Sequence, residues 1–99
     1  MMDGLIAGRL MGDPEHRVGK AGSKFVVAKV RAPSSDGENL MVNVIAFDAA
    51  PSQALLALRD GDSVALAGAL TPKVWTDKQG NVKPALDLIA QRVVSAYPD

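Results

Sequence analysis

Short apolar runs with period-two alternation, each stopped by glycine, proline or aspartate, confine this 99-residue chain to a small β-structure. Residues 4–11 form a first run, with Arg9 inside it, and Gly12-Asp13-Pro14 ends it, where proline removes a donor and fixes a turn. In residues 24–32, Val26, Ala28 and Val30 fall on one side, while Phe25, Val27, Lys29 and Arg31 fall on the other. Residues 33–38 are a loop by composition. Residues 39–47 make a third strand with Leu40, Val42, Val44 and Ala46 inward and Met41, Asn43, Ile45 and Phe47 on the opposite side. The period then changes. Residues 52–59 are helix formers with Ala54, Leu55 and Leu58 on one surface, Pro51 suits the first turn, and Asp60-Gly-Asp62 ends the helix. Residues 63–71 return to alternation, with Val64, Leu66 and Leu70 opposed to Ala65, Ala67 and Ala69, and Pro72 closes that strand. Residues 77–81 form a hairpin tip, and residues 82–94 form a fifth strand carrying Leu86, Leu88 and Ile89.

Strand, strand, strand, helix, strand, strand is the order of an all-β, five-stranded Greek-key barrel of the OB type, with one short helix between the third and fourth strands. The length suits a single domain over residues 1–99. Cysteine is absent, which removes disulfides, thiolate ligands and cysteine nucleophiles. The apolar stretches are too short to span a bilayer, and Met-Met-Asp-Gly lacks the basic start of a secretory signal, so a cytoplasmic protein without a membrane partner is expected. Eleven basic residues balance eleven acidic ones, so any polyanion site must come from local arrangement rather than net charge.

Such an arrangement surrounds Trp75, the single tryptophan, with Lys73, Lys78 and Lys83 spaced about it near a turn. An indole there can stack on a base while the ammonium groups hold the phosphate backbone; alternatively it packs over one end of the core. If the second and third strands pair, Met41, Asn43 and Phe47 join Phe25, Lys29 and Arg31 in a shallow surface of apolar side chains edged by cations, suited to unstacked bases. The competing reading makes Phe25 and Phe47 core or dimer contacts and Lys29 and Arg31 solubilising charges.

Enzymatic chemistry finds little support. The stretch 12–20 lacks the spacing of a phosphate loop, and Ala21 stands where a magnesium-binding hydroxyl is needed. His16 is the sole histidine, so a histidine triad has one possible base and a zinc site would need carboxylates alone for its remaining ligands; it is expected to be exposed. Asp13 and Glu15 lie in a turn that aspartate ordinarily stabilises. No enzyme activity, metal or cofactor is expected.

Four segments, Gly8-Arg-Leu-Met-Gly-Asp-Pro-Glu-His-Arg17, Val44-Ile-Ala-Phe47, Leu58-Arg-Asp-Gly-Asp-Ser-Val64 and Trp75-Thr-Asp-Lys-Gln-Gly80, resemble the bacterial single-stranded DNA-binding protein family in order and spacing. The resemblance implies an OB fold, homo-oligomer assembly and binding of single-stranded DNA without sequence preference, in replication, repair or recombination. Trp75 and Phe47 fall on two of the family's stacking positions, and Met41 falls where the third strand usually offers a tryptophan. Arg9 resembles a polar position near the groove. The loop at residues 34–38 is short and lacks the usual aromatic. The family's long flexible segment and acidic tip are expected to be absent, and in length the sequence resembles the primosomal replication protein of the same superfamily. That second resemblance implies a replication-restart accessory protein with a helicase partner. A barrel serving as an oligomeric interaction module without DNA affinity is the third reading. An apolar first strand with an open edge predicts a homodimer at least, joined through first strands, or a homotetramer. Tyr97-Pro98-Asp99 is too short and weakly charged to act as an acidic recruiting peptide.

Overall fold

In the computed structural model, which describes residues 2–95, the chain runs β1 (Met2–Leu10), β2 (Glu15–Val18), β3 (Lys24–Pro33), β4 (Asn39–Ala46), α1 (Ala49–Leu56), β5 (Ser63–Thr76) and β6 (Val82–Ser95). The expected fate of Tyr97-Pro98-Asp99 lies outside those residues. The strands are ordered β1-β5-β6-β4-β3-β2, and a second pairing of β1 with β3, at Arg9↔Arg31 and Leu10↔Val30, closes five of them into a ring. All pairings are antiparallel except β4 with β6. This is the expected five-stranded Greek-key barrel of the OB type, with its helix between the strands at 39–46 and 63–76.

The core follows from the alternation. Val26, Val30, Val42, Val44, Leu66 and Leu88 point inward and are almost fully buried, and Leu10 from β1 and Leu55 from α1 join the same core. Leu55 is 0 % exposed. Every buried member of this core is aliphatic; the aromatics Phe25, Phe47 and Trp75 take no part in it. The helix packs on β6, β3 and β4. Its Ser52 hydroxyl donates to the Ala46 carbonyl (3.1 Å), tying helix to strand.

Four expectations are corrected. Residues 15–18, expected to lie in a turn after Pro14, form β2; Glu15, His16, Arg17 and Val18 all face solvent, so no apolar period marks them, and they are held by pairing with β3 from Glu15↔Val27 to Val18↔Lys24. The helix begins at Ala49 and ends at Leu56, three residues earlier at each end than 52–59, because Asp48 takes the N-terminal flanking position. Leu58 is buried from the turn beyond it. β1 starts at Met2 and ends at Leu10, its first residues being drawn into strand by pairing with β5 from Met2↔Leu70 onward. Pro72 does not end its strand. β5 continues to Thr76 because β1 has already stopped at Leu70, so a missing N–H at Pro72 falls where β5 has a partner on one side alone.

Two loops are clasped by the residues that gave the sequence its motifs. Gly12 N–H donates to Asp60 Oδ1 (2.7 Å) and Asp60 N–H donates to Asp13 Oδ1 (2.8 Å). Arg59 N–H donates to Asp62 Oδ2 (2.8 Å). Gly12 and Gly61 both sit at positive φ, which glycine adopts without steric penalty. The Gly-Asp-Pro and Arg-Asp-Gly-Asp segments thus fix the barrel's end. Among the described residues no helix is long and apolar enough to cross a membrane.

Candidate nucleic-acid interface

Strand register assembles one continuous outer face. Val27, Lys29 and Arg31 of β3 lie beside Ile45, Asn43 and Met41 of β4, through the pairs Val27↔Ile45, Lys29↔Asn43 and Arg31↔Met41, and Phe25 of β3 meets Phe47, the residue that follows β4. The parallel partner β6 continues the face with Ala85, Asp87 and Ile89, through Met41↔Ala85, Asn43↔Asp87 and Ile45↔Ile89. β5 adds Thr71, Lys73 and Trp75 opposite Asp87, Ala85 and Lys83. The expected pairing of the second and third predicted strands, here β3 and β4, is therefore present.

An open groove of about 890 Å³ runs along this face. Phe25, Phe47, Ile45 and Ile89 give it an apolar floor, and Lys29, Asn43, Lys73 and Asp87 give it polar heads. The two phenylalanine rings stand 6.0 Å apart at 50°, in the tilted arrangement aromatic pairs favour. Phe47 remains 54 % exposed beside Phe25. One rim comes from the loop at Gly12 and Asp13 and from Glu15 and Arg17 of β2, which form an ion pair. A neighbouring groove of about 1090 Å³ contains Arg9 and Arg31 and shares Lys29 with the first. Arg9 lies there across from Arg31, its guanidinium donating to the Gly61 carbonyl (3.1 Å).

The remaining candidates stand on an arm. Beyond Thr71, β5 and β6 project from the barrel as a two-stranded hairpin whose residues 72–76 and 82–84 are all exposed. Trp75 is on this arm within a strand rather than on a turn, 45 % exposed, opposite Lys83. Placement over the core, the alternative reading of this indole, is excluded by that exposure. Lys78 occupies the tip. The tip is shaped by Asp77, whose Oδ1 accepts from the N–H groups of Gln79 (3.0 Å) and Asn81 (2.8 Å), while Asn81 Nδ2 donates to Oδ2 (3.2 Å). These bonds, led by the Asn81 N–H and aided by the charge of Lys83, hold the Asp77 carboxyl below its ordinary pKa. At the opposite loop, Ser34 and the Glu38 N–H do the same to Asp36.

The structure thus brings Phe47, Asn43, Lys29 and Lys73 into one groove, sets Met41 between Arg31 and Ala85 on the same face, and places Arg9 and Arg31 in the adjoining groove. Trp75, Lys78 and Lys83 extend the face along the arm. Sequence reasoning missed Asp87, Ile89 and Arg17. The first two sit at alternate positions with Ala85 on the outward side of β6, a period-two signal blurred by the apolar Leu86 and Leu88 between them. Arg17 carried no signal, since β2 has no period. Lys73 is less free than its sequence context implies, because its Nζ lies 3.9 Å from Asp87 Oδ2. Among the described residues no cluster of histidine and acidic side chains could hold a metal ion.

Comparison with solved structures returns the same architecture. A small single-stranded DNA-binding protein from Streptomyces coelicolor superposes with a TM-score of 0.73 at 17% identity, covering 95% of this chain and 93% of its own. A mitochondrial single-stranded DNA binding protein from S. cerevisiae gives 0.73 at 15% identity, covering 99% and 97%. A Plasmodium falciparum single-stranded DNA-binding protein, solved in complex with single-stranded DNA, gives 0.70 at 14% identity, covering 98% and 96%. No curated protein matches the sequence significantly. At these identities the superpositions establish the fold. The sequence itself matches the model of the Single-strand binding protein family over residues 1–96, and with the motif order and the barrel in agreement, the chain belongs to that family.

Proposed function

We propose that this protein binds single-stranded DNA without reading a defined sequence, by stacking bases on Phe47, Met41 and Trp75 and neutralising phosphates with Lys29, Arg31, Arg9, Lys73, Lys78 and Lys83. The observation that carries this is the division of the side chains. The barrel core is wholly aliphatic, whereas Phe25, Phe47 and Trp75 share one outer face with exposed cations. Exposing large rings to water is unfavourable unless something covers them, and a base does so while its phosphate meets the neighbouring cation. Family membership and the Plasmodium complex support the same reading. The role is non-catalytic: the groove groups bind and orient, and none forms a nucleophile with an adjacent base.

β1 supports self-association. Along residues 2–8 it pairs with β5 on one side alone, and its contact with β3 is confined to Arg9 and Leu10. An open strand edge bearing exposed Met2 and Leu5 is a pairing surface for a second β1, giving a homodimer, or a homotetramer if dimers pair further. With single-stranded DNA as the ligand, the proposed work is in replication, repair or recombination.

The test is a titration with single-stranded and duplex oligonucleotides over a salt series. Tight binding to the single strand, weak binding to the duplex and a log affinity falling linearly with log salt are expected. Equal binding to both, or none to either, overturns the reading. Light scattering that returns a monomer mass at micromolar concentration removes the dimer.

A further inference from the structure

We infer that Asp87 and Asn43 read base chemistry at one position of the groove, favouring bases that carry an exocyclic amino group over thymine. This rests on the single-stranded DNA reading above and adds a composition bias to it.

The two residues are register partners on the parallel strands β4 and β6, in the middle of the outer face. Asn43 Nδ2 donates to Asp87 Oδ1 (3.3 Å), which fixes the amide so that its own oxygen remains an acceptor. Lys73 Nζ approaches the other carboxylate oxygen at 3.9 Å, and both of those side chains stay about half exposed. A carboxylate offers roughly four lone-pair sites, so acceptor capacity remains after both contacts. A negative group here works against a phosphate-binding face, and phosphate neutralisation gives it no role.

Its neighbours supply one. The next pair along the same face is Ile45↔Ile89, both in the groove, giving an apolar seat one strand step, roughly 6–7 Å, from Asn43 and Asp87. A base lying on that seat presents its edge to two acceptors. The amino group of cytosine or adenine brings two hydrogens to them, and guanine brings its ring N–H and amino group together. Thymine has one ring N–H flanked by carbonyl oxygens, so setting it there turns an oxygen toward an acceptor. Lys73 can donate to the ring nitrogen or carbonyl beside the amino group.

The experiment is competition by unlabelled oligo-dC and oligo-dT of equal length against a labelled mixed-sequence strand, read by anisotropy at slightly alkaline pH, with the full chain and its Asp87→Ala and Asp87→Asn variants. Thermal melts check that each variant is folded. Both variants free Lys73 and are expected to bind all DNA more tightly; the dC-over-dT ratio cancels that effect. The ratio is expected to fall on the order of fivefold in Asp87→Ala, and less in Asp87→Asn, whose amide keeps an acceptor. An unchanged ratio in folded variants that still bind overturns this inference and leaves the binding face standing. Absence of binding by the unsubstituted protein overturns both.

Discussion

Trp75 stands directly across from Lys83 on the arm that β5 and β6 carry beyond the barrel, an exposed indole in register with a lysine. The pair contributes little to the fold, since a single cross-strand contact is worth about 0.2–1 kcal/mol. In the proposed function the pair holds a base and its phosphate together. Trp75→Ala is expected to weaken binding to oligo-dT by roughly 1–3 kcal/mol while changing stability by about 1 kcal/mol or less. In the unsubstituted protein, oligo-dT will quench the indole, and added salt will reverse the quenching. A titration and a urea melt check both; an emission indifferent to DNA takes Trp75 out of the interface.

Phe47 and Leu55 separate binding from stability. Phe47 is half exposed on the groove floor, and its replacement by alanine will cost roughly 1–3 kcal/mol of DNA affinity, with the lost contact to Phe25 costing about 0.5–1.5 kcal/mol of stability. Leu55 is sealed inside, so Leu55→Ala will cost about 2–5 kcal/mol of stability through the cavity it leaves. The surviving folded fraction of Leu55→Ala will keep ordinary affinity. If Phe47→Ala instead unfolds the chain and binds normally where folded, the groove assignment fails.

These contrasts show which features the sequence carried. Alternation marked β3 and β4 and the inward set of Val26, Val30, Val42 and Val44, because a half-buried strand must sort its side chains at period two. It also put Lys29 and Arg31 on one outward face and Met41 and Asn43 on another, but the register that sets Lys29 beside Asn43 and Arg31 beside Met41 came only with the structure. β2 escaped because tertiary pairing with β3 holds it without burying anything. Pro72 misled because a proline ends a strand in mid-sheet but is tolerated where one neighbour has stopped. The site was half legible. Aromatics and lysines are conspicuous in a chain this poor in rings, whereas the place of Asp87 beside Asn43 and Lys73 depends on a parallel pairing between strands more than forty residues apart, which no local pattern encodes.

Gly8 tests the closure of the barrel. A Cβ there would run into the backbone carbonyl of Arg31, at the seam where β1 crosses β3. Backbone cannot step aside as a side-chain end can, so Gly8→Ala is expected to cost about 1–3 kcal/mol of stability. At Gly4 the obstruction is the tip of the Leu70 side chain, which can change rotamer, so Gly4→Ala will cost less. The predicted order in denaturant melts is Gly8→Ala below Gly4→Ala below the unsubstituted protein. A Gly4 variant less stable than the Gly8 variant contradicts the seam argument.

Acid is expected to loosen the arm's tip before it unfolds the barrel. The Asp77 carboxylate accepts from the N–H groups of Asn81 and Gln79 and from the Asn81 amide, and these bonds hold its pKa below the ordinary 3.8. A carboxyl whose folded pKa is depressed adds stability that is fully present above its unfolded pKa and is lost as pH falls through the folded value. The turn is therefore firm at neutral pH and weakens once the medium drops below the usual carboxylate range. Asp36 behaves alike through Ser34 and Glu38, so a global acid melt would mix the two loops. Amide chemical shifts and exchange rates at Gln79 and Asn81 isolate this one. They will titrate together at a pH below 3.8, and in Asp77→Asn that titration will vanish while the Ser34 to Glu38 loop still responds. A Gln79 amide that titrates unchanged in the Asp77→Asn variant shows that another group governs the turn.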